Sequence, residues 1–205
     1  MCKDNCKVVF LDRDGTMNVE VNYLHRKEDL KLIDGTAEAI RLLNEDGYKV
    51  IVITNQAGVA RGYYTEADVK ILHDYMNEVL ERDGAHVDAF YYCPHHPEHG
   101  IGIYKKKCHC RKPETGMFEM AERDLTEGID KMHSYMIGDK RIDAQAGKNF
   151  GVTGVLVGTG YGAKEHAEDM AAGLIKEDGS CPAGGYDAYA DTLLDAVRGI
   201  LGGRI

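Results

Sequence analysis

The sequence lacks the long apolar runs that mark membrane proteins and secreted precursors. Its longest apolar runs have the length of a strand, and the first six residues, MCKDNC, are polar. We therefore expect neither a signal peptide nor a membrane-spanning helix, and we expect a cytoplasmic protein. Internal repeats and low-complexity tracts are absent as well.

Positive charge is also scarce. The chain has 25 Lys and Arg residues against 34 Asp and Glu residues, a formal net charge of −9, and its basic residues are scattered. A protein that tracks nucleic acid concentrates basic residues on one face, so this balance argues against nucleic acid as the main partner. The 205 residues fit one domain of ordinary size, residues 1–205, which can bury a substantial core.

Short apolar runs alternate with stretches of helical periodicity along most of the chain. This alternation predicts an α/β fold with a parallel sheet and right-handed crossovers. Beyond Gly158 the pattern weakens into a C-terminal extension at about 163–205, with a glycine-rich insertion near 176–185. We predict five strands, over 8–11, 48–53, 87–92, 134–137 and 154–157. We predict helices over about 36–46, 65–82, 113–121 (with Pro113 in its first turn), 142–149, 163–175 and 192–201.

The first predicted strand, VVFL, runs directly into an acidic turn. Asp12 and Asp14 stand one residue apart in the sequence DRDGT. Two carboxylates so close repel each other unless a cation lies between them or one is protonated. One carboxylate can serve as a nucleophile and the other as a general acid/base, with Mg²⁺ screening both from a phosphate. Asp and Gly are also ordinary turn residues, but an exposed turn needs no buried strand before it.

Other polar groups follow the later strands. Thr54 and Asn55 end the second strand, and Asp139 and Asp143 follow the fourth. Because parallel strands end at one edge of a sheet, these groups can converge with the acidic turn. Lys112 precedes a helix whose start should reach the same edge. This set of a nucleophile, an acid/base, a metal site and cationic or hydroxyl donors is what phosphoryl transfer requires.

A segment rich in cysteine and histidine separates the third strand from the next helix. Cys93 and His95 are followed, after twelve residues, by Cys108 and Cys110. Three thiolates and one imidazole form a closed tetrahedral set for a structural Zn²⁺ in a zinc loop over 93–110. His96, His99 and His109 are competing ligands, and unligated loop cysteines are the alternative.

These motifs resemble those of the haloacid dehalogenase superfamily of phosphatases, and all stand in the family's order. The resemblance implies a three-layer Rossmann-like fold around a central parallel sheet, with no large cap domain here. It implies that Asp12 forms an aspartyl-phosphate and that Asp14 acts as general acid and then base. Thr54 and Lys112 would hold the phosphoryl oxygens, and Asp12, the backbone carbonyl of Asp14 and Asp139 would bind Mg²⁺, with Asp143 behind them.

Within the superfamily, residues 7–160 resemble the heptose bisphosphate 7-phosphatases, with the histidinol-phosphate phosphatases as relatives. The resemblance implies a monomeric enzyme acting on a small sugar phosphate. A nucleic-acid end phosphatase and a zinc-containing binding module without catalysis are the alternatives, although the catalytic motifs are intact. Residues 20–22, EVN, depart from the family's usual run, which leaves substrate detail open. The predicted substrate-binding residues are Glu20, Asn22, Tyr23, Asn55, Gln56, Arg111 and Lys140.

We assign no functional role to the remaining cysteines or to the run of three lysines. Cys2, Cys6 and Cys181 have no spaced partner, so we interpret them as incidental thiols. The run 105–107, KKK, is interpreted as a solvated loop, with a contribution to the local potential as the alternative. His25, His73, His86, His133 and His166 are interpreted as surface or core histidines.

Overall fold

The computed structural model describes residues 5–205, which build one parallel sheet of six strands flanked by helices. This architecture confirms the predicted α/β class, and no second sheet or separate cap domain occurs within these residues. The strands are β1 (Val8–Leu11), β2 (Lys49–Asn55), β3 (Ala89–Cys93), β4 (Tyr135–Gly138), β5 (Thr153–Val157) and β6 (Ala188–Ala190). The α-helices are α1 (Thr36–Glu45), α2 (Ala57–Ala60), α3 (Glu66–Glu81), α4 (Gly116–Asp124), α5 (Arg141–Phe150), α6 (Gly162–Ala171) and α7 (Leu193–Leu201).

The strand order places β1 near the middle of the sheet. The order is β3-β2-β1-β4-β5-β6, and every neighbouring pair is parallel. Val9 lies opposite Val50 of β2 on one side and Tyr135 of β4 on the other. From β1 the chain adds β2 and β3 on one side, and it then crosses back to place β4 on the other side of β1. Such a reversal opens a crevice at the carboxyl ends of the strands, where open α/β sheets bind their ligands.

Both faces of β1 are buried because its side chains alternate between two cores. Val9 and Leu11 pack in the core that α1, α3 and α7 cover, whereas Val8 and Phe10 face α4 and α5. The Phe10 ring lies 4.8 Å from that of Phe118, edge to face. Full burial of each such side chain contributes about 1.5–3 kcal/mol, so the acidic turn begins from a firmly held strand.

Helix α3 begins where the sequence predicts. The Thr65 hydroxyl accepts from the Asp68 backbone, and the Asp68 carboxylate accepts from the Thr65 backbone, which together form a capping box. The helix buries Val69, Leu72 and Met76 at helical spacing. Among the helices of residues 5–205, none combines the length and apolar character needed to cross a membrane.

Several details differ from the sequence prediction. Helix α6 ends at Ala171 rather than at residue 175. Strand β6 was not predicted, because its three residues AYA form no apolar run, yet it pairs with β5 at the sheet edge. Helix α4 begins at Gly116, so placing Pro113 in its first turn was wrong. A turn in which the Glu114 N–H donates to the Arg111 carbonyl occupies that position. The short helix α2 lies in a stretch that was predicted to be a loop.

Candidate active site

Lys112 is the centre of a buried ion-pair cluster at the carboxyl edge of the sheet. Its Nζ atom lies 2.6 Å from Oδ1 of Asp12 and 2.8 Å from Oδ1 of Asp143, and it donates to the Ile53 carbonyl at 2.8 Å. Burial alone would lower the pKa of Lys112, but Asp12 and Asp143 raise it above its usual value. Lys112 is therefore an ammonium group with three partners, held against the predicted nucleophile.

Three carboxylates crowd together beside this lysine. Asp12, Asp139 and Asp143 each offer an oxygen within 4.8 Å of the others, and all three side chains are buried. Burial, together with Asp12 and Asp143, raises the pKa of Asp139 to about 8. Its Oδ1 atom has no hydrogen-bond partner within the described residues. Mg²⁺ binds hard oxygen ligands, and a cation would relieve the repulsion that raises the pKa of Asp139, so this donor set fits the ion.

Two glycines allow the turn after β1 to approach Asp139. A Cβ atom at Gly15 or at Gly160 would collide with Oδ2 of Asp139. Both glycines also have positive φ angles, +86° and +55°, which other residues rarely adopt. The backbone N–H of Tyr161 donates to the same Oδ2 atom at 3.0 Å. These contacts fix one carboxylate oxygen and leave the other directed towards the acidic cluster.

The Asp14 carboxylate lies outside that cluster, against Arg13. Nη2 of Arg13 donates to Oδ2 of Asp14 at 2.8 Å, its Nε donates to Oδ1 at 3.1 Å, and Asn18 donates to Oδ1 at 3.1 Å. Burial would raise the pKa of Asp14, but Arg13, Asn18 and Gln56 together hold it below its usual value. The two aspartates of the turn therefore have different electrostatic environments, which suits two different chemical roles.

Arg13 and His73 are parts of this site that the sequence analysis did not single out. Arg13 has no solvent exposure, and its Nη1 lies 3.3 Å from Nε2 of His73, which is also buried. Burial and Arg13 lower the pKa of His73 to about 3, so its imidazole is neutral and accepts a hydrogen bond. A signal existed for both residues. Arg13 lies between the two aspartates that follow a buried strand, and His73 shares the apolar helical spacing of Val69, Leu72 and Met76.

Asn55 and Gln56 make their polar contacts within the protein. The Asn55 side chain accepts from the Lys112 backbone N–H at 3.0 Å and donates to the Lys112 carbonyl at 3.2 Å. Gln56 is only 1% exposed. Its amide contacts Asp14, Thr54, Arg13 and Tyr64 at 2.7–3.2 Å. Asn55 thus positions the loop that carries Lys112, and Gln56 links residues of the site to each other.

Two adjoining cavities of about 210 and 180 Å³ open above these groups. The predicted substrate residues all border them, and Asp14, Glu20, Asn55 and Lys140 border both. Nζ of Lys140 lies 3.7 Å from Oδ1 of Asp139 and 3.8 Å from Glu20, so it places positive charge between the three clustered carboxylates and the loop after β1. Asn22, Tyr23 and Gln56 line the first cavity, and Thr54, Arg111 and Lys112 line the second.

The predicted zinc ligands meet in one cluster. Cys93, His95, Cys108 and Cys110 place one donor atom each within 4.8 Å of the others. The three sulfurs are 3.0–3.3 Å apart, and Nδ1 of His95 lies 3.4 Å from the Cys110 sulfur. The hydrogen bond between Cys110 and Cys93 lowers the pKa of Cys110 to about 5, which favours the thiolate form. Three sulfurs and an imidazole fit Zn²⁺ without leaving an open position.

The competing histidines point elsewhere. Nδ1 of His96 accepts from the backbone of Glu98 and His99, and Nε2 of His109 lies 2.9 Å from Glu119. Two other cysteines lie apart from the cluster: Cys6 donates to the Gly128 carbonyl, and Cys181 is buried near Gly184. Cys2 falls outside the described residues. The lysine run 105–107 is exposed.

Comparison with known proteins places this site in a family. The HAD-hydrolase-like family model matches residues 109–179. The D-glycero-beta-D-manno-heptose-1,7-bisphosphate 7-phosphatase of Haemophilus ducreyi is 46% identical over 167 residues, which span 80% of this chain and 90% of that protein. The protein of the same name from Vibrio cholerae is 44% identical over 168 residues, which span 82% of this chain and 89% of that protein.

A solved structure agrees with these relatives over almost the whole chain. It is that of the D,D-heptose 1,7-bisphosphate phosphatase from B. bronchiseptica, complexed with magnesium and phosphate. It aligns with a TM-score of 0.77 at 30% identity and covers 96% of this chain and 99% of that one. The chain therefore belongs to the heptose bisphosphate 7-phosphatase family, within the haloacid dehalogenase-like hydrolases, and is a phosphoric monoester hydrolase.

Proposed function

We propose that this enzyme removes the 7-phosphate of D-glycero-D-manno-heptose 1,7-bisphosphate through an aspartyl-phosphate at Asp12. The observation that carries the proposal is the buried contact between Lys112 and Asp12 beside the carboxylates of Asp139 and Asp143. Relatives with 44–46% identity over four fifths of the chain act, by their names, on this substrate. Bound Mg²⁺ would screen the carboxylates from the incoming phosphate.

Each catalytic residue has a role that its contacts support. A carboxylate oxygen of Asp12 attacks phosphorus while Lys112 and Thr54 hold the phosphoryl oxygens. Asp14 protonates the departing sugar oxygen and then takes a proton from the water that hydrolyses the intermediate. The low pKa of Asp14 keeps its carboxylate ionised, which is the form that the second of these steps requires. A negatively charged phosphate bound beside Asp14 favours its protonation and so supports the first step.

For magnesium we propose Asp12, the backbone carbonyl of Asp14 and Asp139 as the protein ligands. Asp143 lies behind them and pairs with Lys112. Oδ1 of Asp139 supports this assignment, because it is buried, accepts no hydrogen bond within the described residues and has its ion-pair partner, Nζ of Lys140, 3.7 Å away. A bound Mg²⁺ would supply the direct contact that this oxygen lacks.

For zinc we propose Cys93, His95, Cys108 and Cys110 as the four ligands. The closed donor set supports a structural ion, and Arg111 and Lys112 follow Cys110 directly in the sequence. Zinc would then fix the loop that delivers both residues to the site.

The substrate-binding roles of the cleft residues are also proposals. Glu20, Asn22, Tyr23, Asn55, Gln56, Arg111 and Lys140 border the two cavities. We further propose that the chain works as one domain and as a monomer in the cytoplasm, on a small sugar phosphate. The unpaired thiols of the zinc loop support a reducing compartment.

A substrate panel tests the proposed activity. Phosphate release is measured, with Mg²⁺ present, from heptose 1,7-bisphosphate, hexose monophosphates and histidinol phosphate. We expect the heptose bisphosphate to exceed the monophosphates by at least about tenfold in kcat/KM, which needs only ~1.4 kcal/mol of differential transition-state binding. A higher kcat/KM for histidinol phosphate would overturn the proposal.

A further inference from the structure

Every hydrogen-bonding position of the Gln56 amide is occupied by a protein group. Its Nε2 donates to Oδ2 of Asp14 at 3.1 Å and to Oγ1 of Thr54 at 2.9 Å. Its Oε1 accepts from Nη2 of Arg13 at 3.2 Å and from the Tyr64 hydroxyl at 2.7 Å. An amide has two donor hydrogens and two acceptor lone pairs, so all four are used within the protein, and Gln56 can meet a substrate only by van der Waals contact at the cavity wall.

These contacts fix which way the amide faces. A guanidinium has no acceptor, so Arg13 must face the amide oxygen, and an ionised Asp14 must face the amide nitrogen. Rotating the amide by half a turn would set its oxygen against the Asp14 carboxylate and its N–H groups against Arg13. Both contacts would then be repulsive, and so the observed orientation is the only one that satisfies the network.

The fixed amide restricts the orientation of the Thr54 hydroxyl. Thr54 is 1% exposed and borders the cavity that Asp12 and Lys112 also line. Its hydroxyl oxygen already accepts from Gln56, and within residues 5–205 the hydroxyl donates no hydrogen bond. We propose that Gln56 is a positioning residue that keeps the Thr54 hydroxyl hydrogen directed at the transferring phosphoryl group. This inference deepens the proposed function and rests on its placement of phosphate between Thr54 and Lys112.

The Gln56 amide also links the proposed acid/base to the proposed phosphoryl-binding group. One Gln56 nitrogen contacts both the proposed acid/base, Asp14, and a proposed phosphoryl-binding group, Thr54. The positions of these two side chains relative to each other are therefore fixed through Gln56. Preorganised donors of this kind stabilise developing charge without reorganising during the reaction. Arg13 and Tyr64 anchor the oxygen end of the amide and therefore act on Thr54 only through Gln56.

A double-mutant cycle tests the proposal with inorganic phosphate as the probe. Phosphate affinity is measured by calorimetry, with Mg²⁺ present, for wild type, Thr54→Val, Gln56→Glu and the double variant. A carboxyl group carries at most one hydrogen and cannot donate to both Asp14 and Thr54, so in Gln56→Glu the Thr54 hydroxyl turns towards residue 56. We expect Thr54→Val to weaken phosphate binding at least about tenfold in the wild-type background and less than about threefold in the Gln56→Glu background.

Matched variants separate this effect from charge and folding. Gln145→Glu makes the same chemical change on α5, where the side chain bonds Asn149 at 2.8 Å, and should leave phosphate affinity unchanged. Thr54→Ser keeps the hydroxyl and should bind phosphate within about threefold of wild type. If Gln56→Glu does not fold, Gln56→Met removes both donors, and we expect phosphate binding about threefold to tenfold weaker than wild type.

Two results would overturn the proposal. One is an equal Thr54→Val effect in the wild-type and Gln56→Glu backgrounds. The other is wild-type phosphate affinity in Gln56→Met. Repeating the cycle on kcat with 4-nitrophenyl phosphate keeps the test independent of the sugar. A failed heptose screen would therefore leave this inference standing, and a failed cycle would leave the substrate assignment standing.

Discussion

Asp12 combines burial, a short contact with Lys112 and a position at the end of the central strand. Replacing Asp12 by asparagine keeps the side-chain shape but removes the nucleophilic oxygen. We expect Asp12→Asn to lower kcat by at least about a thousandfold, which corresponds to ~4 kcal/mol in activation free energy. The measurement is phosphate release from a generic aryl phosphate with Mg²⁺ present.

The far-ultraviolet circular dichroism spectrum of Asp12→Asn should match that of wild type. Lys112 retains Asp143 and the Ile53 carbonyl as partners, so the ammonium group is not left unpaired. Turnover close to the wild-type rate would remove Asp12 from the nucleophile role.

His73 makes a second prediction, which concerns stability rather than turnover. Its folded pKa of about 3 lies below the unfolded value near 6.5. Between these values the unfolded chain binds a proton that the folded chain does not. The contribution of neutral His73 to stability is therefore fully present above pH 6.5. As the pH is lowered below 6.5, the free energy of unfolding decreases by up to about 1.4 kcal/mol per pH unit.

Comparing wild type with His73→Gln isolates the pH-dependent contribution of His73 to the free energy of unfolding, because the glutamine oxygen can accept from Arg13 but does not titrate. Urea unfolding at pH 7 and pH 5 should show wild type losing roughly 2 kcal/mol more than the variant. Equal losses in the two proteins would mean that the folded state does not exclude the proton from His73.

At the scale of elements, we expect the zinc loop to couple stability to activity. Cys108 lies 3.3 Å from Cys93, and only Arg111 separates Cys110 from Lys112. A serine hydroxyl is a weaker zinc ligand than a thiolate, so Cys108→Ser should lower the zinc content. The loop that precedes Lys112 should then be held less rigidly. We expect the melting temperature to fall by several degrees and kcat to fall at least about tenfold.

Elemental analysis and thermal unfolding measure both effects. Wild type should retain about one zinc per chain after dialysis against EDTA that strips Mg²⁺. Cys6→Ser is the matched control, because serine can still donate to the Gly128 carbonyl. Active protein without zinc would contradict the site.

The elements also show which patterns predict structure well. Strands β1 to β5 are fully or partly buried apolar runs, and such runs are visible in the sequence. Strand β6 gains its pairing from β5 rather than from its own composition, so a local pattern cannot reveal it. The start of α4 was displaced for a similar reason, since the turn at Arg111 and Glu114 depends on where the zinc loop ends.

At the scale of the whole molecule, the cleft is bounded by segments far apart in the sequence. Glu20 and Tyr23 come from the loop after β1, Arg111 directly follows the zinc loop, and Lys140 follows β4. Nη1 of Arg111 donates to the His95 carbonyl at 3.2 Å, which holds its guanidinium beside the second cavity. A guanidinium there can bind the sugar or its distal phosphate.

We therefore expect Arg111→Ala to reduce kcat/KM for the heptose bisphosphate more than for monophosphates. Loss of one charge-assisted contact is worth about 1.5–3 kcal/mol, which predicts a reduction of at least about tenfold in the preference. Steady-state kinetics on both substrate classes measures it. A common factor of reduction for every substrate would show that Arg111 does not discriminate between them.

The sequence predicted the groups that gather at the site better than the bonds between them. Motifs at the ends of β1, β2 and β4 place Asp12, Thr54 and Asp139 on one edge, because parallel topology requires it. The partners of Asp14 could not be predicted in this way. Arg13 and Gln56 reach it through side-chain rotamers that only the packed structure selects.

The position of β1 also sets the order in which the enzyme becomes complete. Val9 pairs with Val50 and with Tyr135, so the strand made first gains its second neighbour only after about two thirds of the chain has been synthesised. Contacts this distant in sequence make folding slow, because loop closure precedes any gain from pairing. The acidic turn of a nascent chain thus has no Asp139 beside it until β4 has been made and paired, and metal binding at the proposed site would be a late event in the maturation of the enzyme.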